Sequence, residues 1–168
     1  EEAFLIDKHA AHERVLFDRL RAQKQEIVSQ TLLAPQVCRL GQEGAALVLE
    51  NLSLLDELGY GVEEFGEGTV LLRQVPMDLS PEQGADCLTS LAQDLQEGRR
   101  EDRDSLRDNL LHTMACKAAI KGGWTSDPAE LKVLVEKVQS GEVRYCPHGR
   151  PVVVKVTKYE LEKLFKRA

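Results

Sequence analysis

Apolar and polar positions recur along the chain with a changing period, and the period marks the elements. Ala3–Asp7 (AFLID) is a short apolar run and reads as a buried strand end. His9–Gln23 carries apolar residues at Ala10, Val15, Leu16 and Leu20 with charges between them, and reads as a helix. Leu32–Leu40 reads as an extended segment with Pro35 near its start. Gln42–Leu58 is apolar at Ala45, Ala46, Leu49, Leu52, Leu55 and Leu58, which predicts one helix stopped by Gly59. Gly61–Phe65 and Thr69–Val75 predict a hairpin around Gly66-Glu67-Gly68. Ser80 as cap and Pro81 in the first turn open a third helix, running to about Glu97. The charged stretch Gly98–Asp104 reads as a solvated linker. Leu106–Lys121 predicts a helix ending at Gly122-Gly123, and Asp127-Pro128 starts another that ends near Gly141. Val152–Val156 reads as a strand and Tyr159–Arg167 as a closing amphipathic helix.

This order of strands and helices is α+β. Residues suited to metal chemistry lie only in the first and last thirds. The expected organisation is therefore one subdomain from residues 1–34 and 104–168, carrying the chemistry, with residues 35–103 inserted as an α/β lobe. No internal repeat or low-complexity tract interrupts it.

Composition narrows the class. The 168 residues are 42% hydrophobic and 30% charged, enough for a real core in a globular protein. No apolar run approaches the ~20 residues of a membrane span, and no signal peptide is visible. The four cysteines therefore read as reduced thiols in a cytosol. The abrupt start in a strand suggests a piece of a longer protein. A net charge of −6 argues against a stand-alone DNA binder, so a nucleic-acid substrate would have to be delivered by something else.

Three segments carry candidate chemistry. Asp7 ends a strand, and His9 and Glu13 are four apart, on one face of a helix. Two carboxylates and an imidazole converging in this way suit a divalent cation. The bland alternative is a helix-capping Asp7 and a surface His9–Glu13 pair. Cys146-Pro147-His148-Gly149-Arg150-Pro151 places a thiol and an imidazole two residues apart in a proline-stiffened turn, a compact metal corner. Arg150 there suits bidentate phosphate binding. A buried Cys and a turn His are the alternative. Cys116, inside a helix, is on its own an ordinary core thiol. Taken with the other segments, Glu13, Cys116, Cys146 and His148 make a four-ligand zinc set. His112 lies on the face of Cys116 and competes for its role, whereas His12 is a step off the His9–Glu13 face and reads as solvent-exposed.

These motifs, in this order, resemble the C-terminal domain of MutL-family DNA mismatch-repair proteins, in their nicking-endonuclease branch. The family's first motif is D-Q-H-A, two residues, Glu, four residues, Glu. The chain matches it at Asp7, His9, Ala10 and Glu13, with Lys8 in place of Gln and Asp18 in place of the last Glu. The family's A-C-R is here Ala115-Cys116-Lys117, its C-P-(H/N)-x-R-P is Cys146–Pro151, and its terminal F-x-R is Phe165-Lys166-Arg167. The set spans nearly the whole chain. Asp18 is one methylene shorter than Glu, Lys8 adds a cation beside the site, and Lys117 lacks the guanidinium fork.

The resemblance implies a cytoplasmic, metal-dependent endonuclease that nicks duplex DNA and forms a homodimer. Its zinc would be held by Glu13, Cys116, Cys146 and His148, with Asp7 and His9 adjacent. Asp7, His9 and Glu13 would be catalytic around manganese or magnesium, and Arg150 would touch a phosphate. ATP would be bound by a separate N-terminal domain, and a mismatch-recognition protein would be met through the full-length chain. Gln30-Thr31-Leu32-Leu33-Ala34-Pro35 looks like the family's segment that docks on the replicative sliding clamp, through Gln30, Leu33 and Pro35. No membrane partner is implied. Two alternatives stand beside this: a non-catalytic dimerisation module with a structural zinc, and an ordinary strand at residues 30–35.

Overall fold

The computed structural model describes residues 2–23, 26–97, 102–119 and 126–167. It is α+β, as expected, and divides into two compact units: Glu1–Leu16 with Ala119–Ala168, and Phe17–Ala118. The expected boundaries, 1–34 with 104–168 against 35–103, lie elsewhere. The middle unit takes in all of the strand that begins at Ser29, the helix Arg103–Ala118 and the second half of the first helix. Helix and strand packing, rather than the spread of metal-type residues, sets these limits.

In the unit made from the chain's two ends, strand β1 (Glu2–Ile6) pairs antiparallel with the late strand Val153–Thr157, with Ile6 opposite Val153 and Glu2 opposite Thr157. Helix α1 (Lys8–Ala22) follows β1 at once, and its first half belongs to this unit. A later helix, Pro128–Gln139, starts at Asp127, whose side chain accepts the Ala129 N–H, with Pro128 in the first turn. Their apolar faces close a small core of Ala11, Leu134, Val138, Val143, Cys146 and Val152. The closing helix starts in a capping box between Thr157 and Glu160 and runs Lys158–Leu164. It stops short of the expected Arg167, because Phe165 caps it and Lys166 turns to a positive φ of 54°.

The middle unit is built on an antiparallel sheet of β2 (Ser29–Arg39), β3 (Gly61–Glu64) and β4 (Thr69–Pro76), in the order β2-β4-β3. Its helices are α2 (Gly41–Glu50), α3 (Leu52–Glu57), α4 (Pro81–Gln96) and α5 (Arg103–Ala118). In chain order the end-unit elements are then α6 (Pro128–Gln139), β5 (Val153–Thr157) and α7 (Lys158–Leu164). The expected single helix Gln42–Leu58 is two. Asn51 breaks it by donating from its side chain to the Leu47 carbonyl, while its own N–H turns to Val48. Gly84 lets α4 lie close on the sheet, since a Cβ there would meet Val75 at 2.5 Å. Helix α5 starts three residues earlier than expected because Asp102 caps it through the Ser105 N–H. The predicted Gly122-Gly123 stop lies outside the described residues. No described helix is long and apolar enough to cross a membrane.

Candidate metal centre

Asp7 leaves β1 and enters α1. Its N–H donates to the Val152 carbonyl, and its Oδ1 accepts the Ala10 N–H as a helix cap. The capping reading therefore describes one of its oxygens. His9 and Glu13 sit one turn apart on α1, as their spacing requires. Glu13 is not a surface residue: it is 4% exposed and is the one buried charged group among the described residues. Its Oε2 lies 3.9 Å from His9 Nε2, and its Oε1 lies 3.5 Å from His148 Nδ1. Yet Oε1 is buried without a hydrogen-bond partner.

A buried carboxylate oxygen that accepts no hydrogen bond is costly, by about 1–3 kcal/mol for such a polar group and more for a charged one. Its arrangement matches a ligand set. Donors around one tetrahedral zinc, with bonds of about 2.1 Å, stand about 3.4 Å from one another. The carboxylate faces two imidazole nitrogens at that kind of spacing. The residues of this unit therefore fit a divalent cation.

The turn that presents His148 is fixed by its backbone. Cys146 N–H donates to the Arg150 carbonyl at 2.8 Å, and Gly149 N–H donates back to the Cys146 carbonyl at 2.9 Å. Tyr145 and Pro151 form a bridge below it. Gly149 has φ +81°, the left-handed region that glycine favours. Cys146 is buried in the small core, and its Sγ accepts the Arg150 N–H at 3.4 Å. Within this structure neither Cys146 nor Asp7 joins a group of three donor atoms within 4.8 Å among the described residues; the thiol is turned to the Arg150 amide instead. Arg150 itself is exposed on the rim of the turn. Lys8 reaches Ser126 Oγ at 3.3 Å, just ahead of the α6 cap, a tether that the sequence did not suggest.

The remaining candidates lie in or around other elements. Cys116 is half-buried on α5 of the middle unit. His112, on the same helix, packs edge-on against the Phe17 ring, with centroids 5.5 Å apart. Asp18 is exposed on α1. His12, expected in solvent, is half-buried and lines a cleft with Val15, Val133 and Leu134. At the predicted docking segment, Gln30 donates from its side chain to the Leu79 carbonyl at 2.8 Å. The β2 register breaks between Thr31 and Gln36, so residues 32–35 bulge from the edge of the sheet. Leu32 turns inward there, Leu33 is fully exposed and Pro35 is exposed.

Comparison with known proteins agrees with the family resemblance. The MutL C-terminal dimerisation domain family matches residues 1–125. The DNA mismatch repair protein MutL of Caldanaerobacter subterraneus subsp. tengcongensis is 38% identical over 165 residues, covering 98% of this chain and 28% of the relative. That of Thermoanaerobacter pseudethanolicus is 36% identical over the same share of the chain and 27% of its own length. That of Clostridium botulinum (strain Kyoto / Type A2) is 35% identical over 170 residues, 99% of the chain and 26% of the relative. The chain thus spans about a quarter of the length of these relatives, and it belongs to the family of MutL C-terminal dimerisation domains.

Proposed function

We propose that this chain is the metal-dependent nicking endonuclease and homodimerisation domain of a cytoplasmic mismatch-repair protein. The observation that carries the reading is the buried Glu13 Oε1, which accepts no hydrogen bond and faces His148, with His9 on the other oxygen. Glu13, His148, Cys146 and Cys116 are the residues that would hold zinc, a borderline-soft set. Asp7 and His9 would add the hard oxygen and imidazole donors that manganese or magnesium accepts. A bound divalent cation would supply Lewis acidity for adding water across one phosphodiester bond, leaving a phosphate and a hydroxyl end. Asp7 and Glu13 provide the negative charge that retains such cations. Arg150, exposed on the neighbouring turn, would hold a non-bridging phosphate oxygen through its fork.

The net charge of −6 opposes DNA binding by this chain alone. Duplex DNA would reach it through the rest of a longer protein that also binds ATP, through a mismatch-recognition protein, or through the sliding clamp. Dimerisation fits β1, β5 and α7: a two-stranded sheet is marginal by itself, and Phe4, Leu5, Val154, Tyr159, Leu164 and Phe165 are all exposed.

The decisive experiment substitutes Asp7→Asn in a protein with its ATPase domain present and follows manganese-dependent nicking of supercoiled DNA. Abolished nicking with intact folding and zinc content supports the endonuclease. Undiminished nicking assigns the domain to dimerisation with a structural zinc.

A further inference from the structure

We infer that Gln83 is a positioning residue that fixes where α5, and with it Cys116, stands along α4. The inference rests on the proposed zinc-holding role of Cys116 and adds the group that keeps its helix in register. Helices α4 and α5 both belong to the middle unit. Leu91 and Leu95 share a cleft with Leu106 and Leu110, so the late part of α4 meets the early part of α5 and the two run antiparallel. At the other end of this seam the Gln83 side-chain amide bridges two helix ends. Its Oε1 accepts the Ser80 N–H at 2.9 Å, while Ser80 Oγ accepts the Gln83 N–H at 3.2 Å, which caps the start of α4. Its Nε2 donates to the Lys117 carbonyl at 2.7 Å, one residue beyond Cys116. The orientation of the amide follows from its partners: turned over, it would set nitrogen against N–H and oxygen against carbonyl.

The leucines alone do not set this register. Burial of apolar surface is non-directional, so they hold the helices together without selecting a position along the axis as sharply as a hydrogen bond does. The last four carbonyls of a helix have no partner within it. Lys117 supplies one of these in α5, which ends at Ala118. Gln83 satisfies it from within a capping box, so the end of α5 is tied to the start of α4. A second link, Lys117 Nζ to Asp86 Oδ2 at 3.6 Å, ends on an exposed carboxylate and contributes little. The amide therefore carries the tie. Cys116 is half-buried beside it. Groups behind a metal ligand that fix its orientation change metal affinity by about 10–100-fold when removed, and Gln83 acts on Cys116 through one peptide unit.

The test separates the two jobs of the amide. Gln83→Glu keeps an acceptor for the Ser80 N–H, the usual capping-box arrangement, and loses the donor to Lys117. Gln83→Met is uncharged and loses the donor as well. Ser80→Ala removes the cap hydroxyl and leaves the donor in place. Zinc affinity is measured by competition with a chromophoric chelator, stability by urea unfolding of the metal-free chain, and the end of α5 by amide hydrogen exchange at Cys116 and Lys117. Both Gln83 variants are expected to bind zinc about tenfold more weakly and to exchange faster at the end of α5, with Gln83→Glu close to the parent in urea. Ser80→Ala is expected to do the reverse, with a lower urea midpoint and parent-like zinc affinity. Parent-like zinc affinity in both Gln83 variants overturns the inference, and so does an equal loss in Ser80→Ala, which would mark a general loosening of α4. Cys116→Ser, measured alongside, tells the two failures apart: retained affinity there shows that the metal reading of Cys116 has failed, whereas lost affinity leaves that reading standing and removes only Gln83.

Discussion

Glu13 and His148 face each other at 3.5 Å from opposite ends of the chain, yet the Glu13 oxygen on that line accepts no hydrogen bond. Such a contact is poor as an ion pair and good as two sides of a coordination sphere. It separates the effect of Glu13 on the metal-free chain from its effect on the loaded one. Glu13→Gln keeps the shape and replaces a buried carboxylate with a neutral amide, which is less costly to bury. Without metal the variant should match or exceed the parent in stability, by up to about 2 kcal/mol. Zinc at a hundred times its dissociation constant should stabilise the parent by about 2.7 kcal/mol. Thermal unfolding with zinc and with chelator measures both, and a zinc-induced shift that survives in Glu13→Gln would remove Glu13 from the ligand set.

The dimer is tested on the two-stranded sheet. Leu5 pairs with Val154, and directly opposed residues share a face. Both are more than half exposed, so neither contributes much to the fold of one copy. Leu5→Asp should therefore convert a dimer to a monomer in light scattering at micromolar concentration while leaving far-ultraviolet circular dichroism unchanged. A dimer that persists undiminished places the interface elsewhere.

Much of this was legible in the sequence where the signal was local. The i, i+4 spacing of His9 and Glu13 fixed their shared helix face, and the prolines and glycine of Cys146–Pro151 announced a tight turn. Ser80 and Asp127 marked helix starts because capping is a short-range interaction. Burial was not legible: a glutamate in a charged helix looks solvated until α1 packs against the core that includes Cys146. The break at Asn51 was hidden because the apolar period runs through it, whereas the backbone responds to the side-chain bond to Leu47. The bulge at residues 32–35 depends on which β4 residues pair with which, a long-range choice that Leu-Leu-Ala-Pro does not encode. Cys116 was grouped with Glu13, Cys146 and His148 because together they make a borderline-soft zinc set, and zinc analysis of Cys116→Ser tests that grouping.

A pH dependence follows from the middle unit. Burial pushes the Cys87 thiol up to about 11 from an ordinary 9.0, with contacts to Tyr60 and Lys117 only partly opposing the shift. The folded chain keeps this thiol neutral at a pH where the unfolded chain ionises it. The contribution is fully present below pH 9.0 and is lost progressively as pH rises to about 11. Two units correspond to about 2.7 kcal/mol. Burial likewise raises Tyr60 well above 10.0, so the cleanest window is from pH 9 to 10. In urea titrations, Cys87→Ala should lower stability at pH 7 by loss of packing and flatten the decline over that window. An unchanged alkaline slope would show that other groups control it.

The docking segment provides the last test, and its geometry dictates which residue to change. Gln30 donates to the Leu79 carbonyl inside the middle unit, so removing it would disturb the strand as well as any partner contact. Leu33 is different. It stands fully exposed on a bulge of an edge strand, an unfavourable place for a leucine in a lone chain. An apolar side chain beside an exposed proline suits a groove on a partner, with the bulge limiting the entropy lost on binding. Leu33→Ala should change stability by less than about 0.5 kcal/mol, since the side chain buries nothing. In nicking assays with the longer protein, it should leave the basal rate intact and remove the stimulation given by a clamp loaded on DNA. Because such peptide contacts sit in the micromolar range, about −8 kcal/mol in total, losing the anchor should weaken clamp binding at least tenfold. Full stimulation of Leu33→Ala at limiting clamp concentration would return residues 30–35 to the role of an ordinary edge strand.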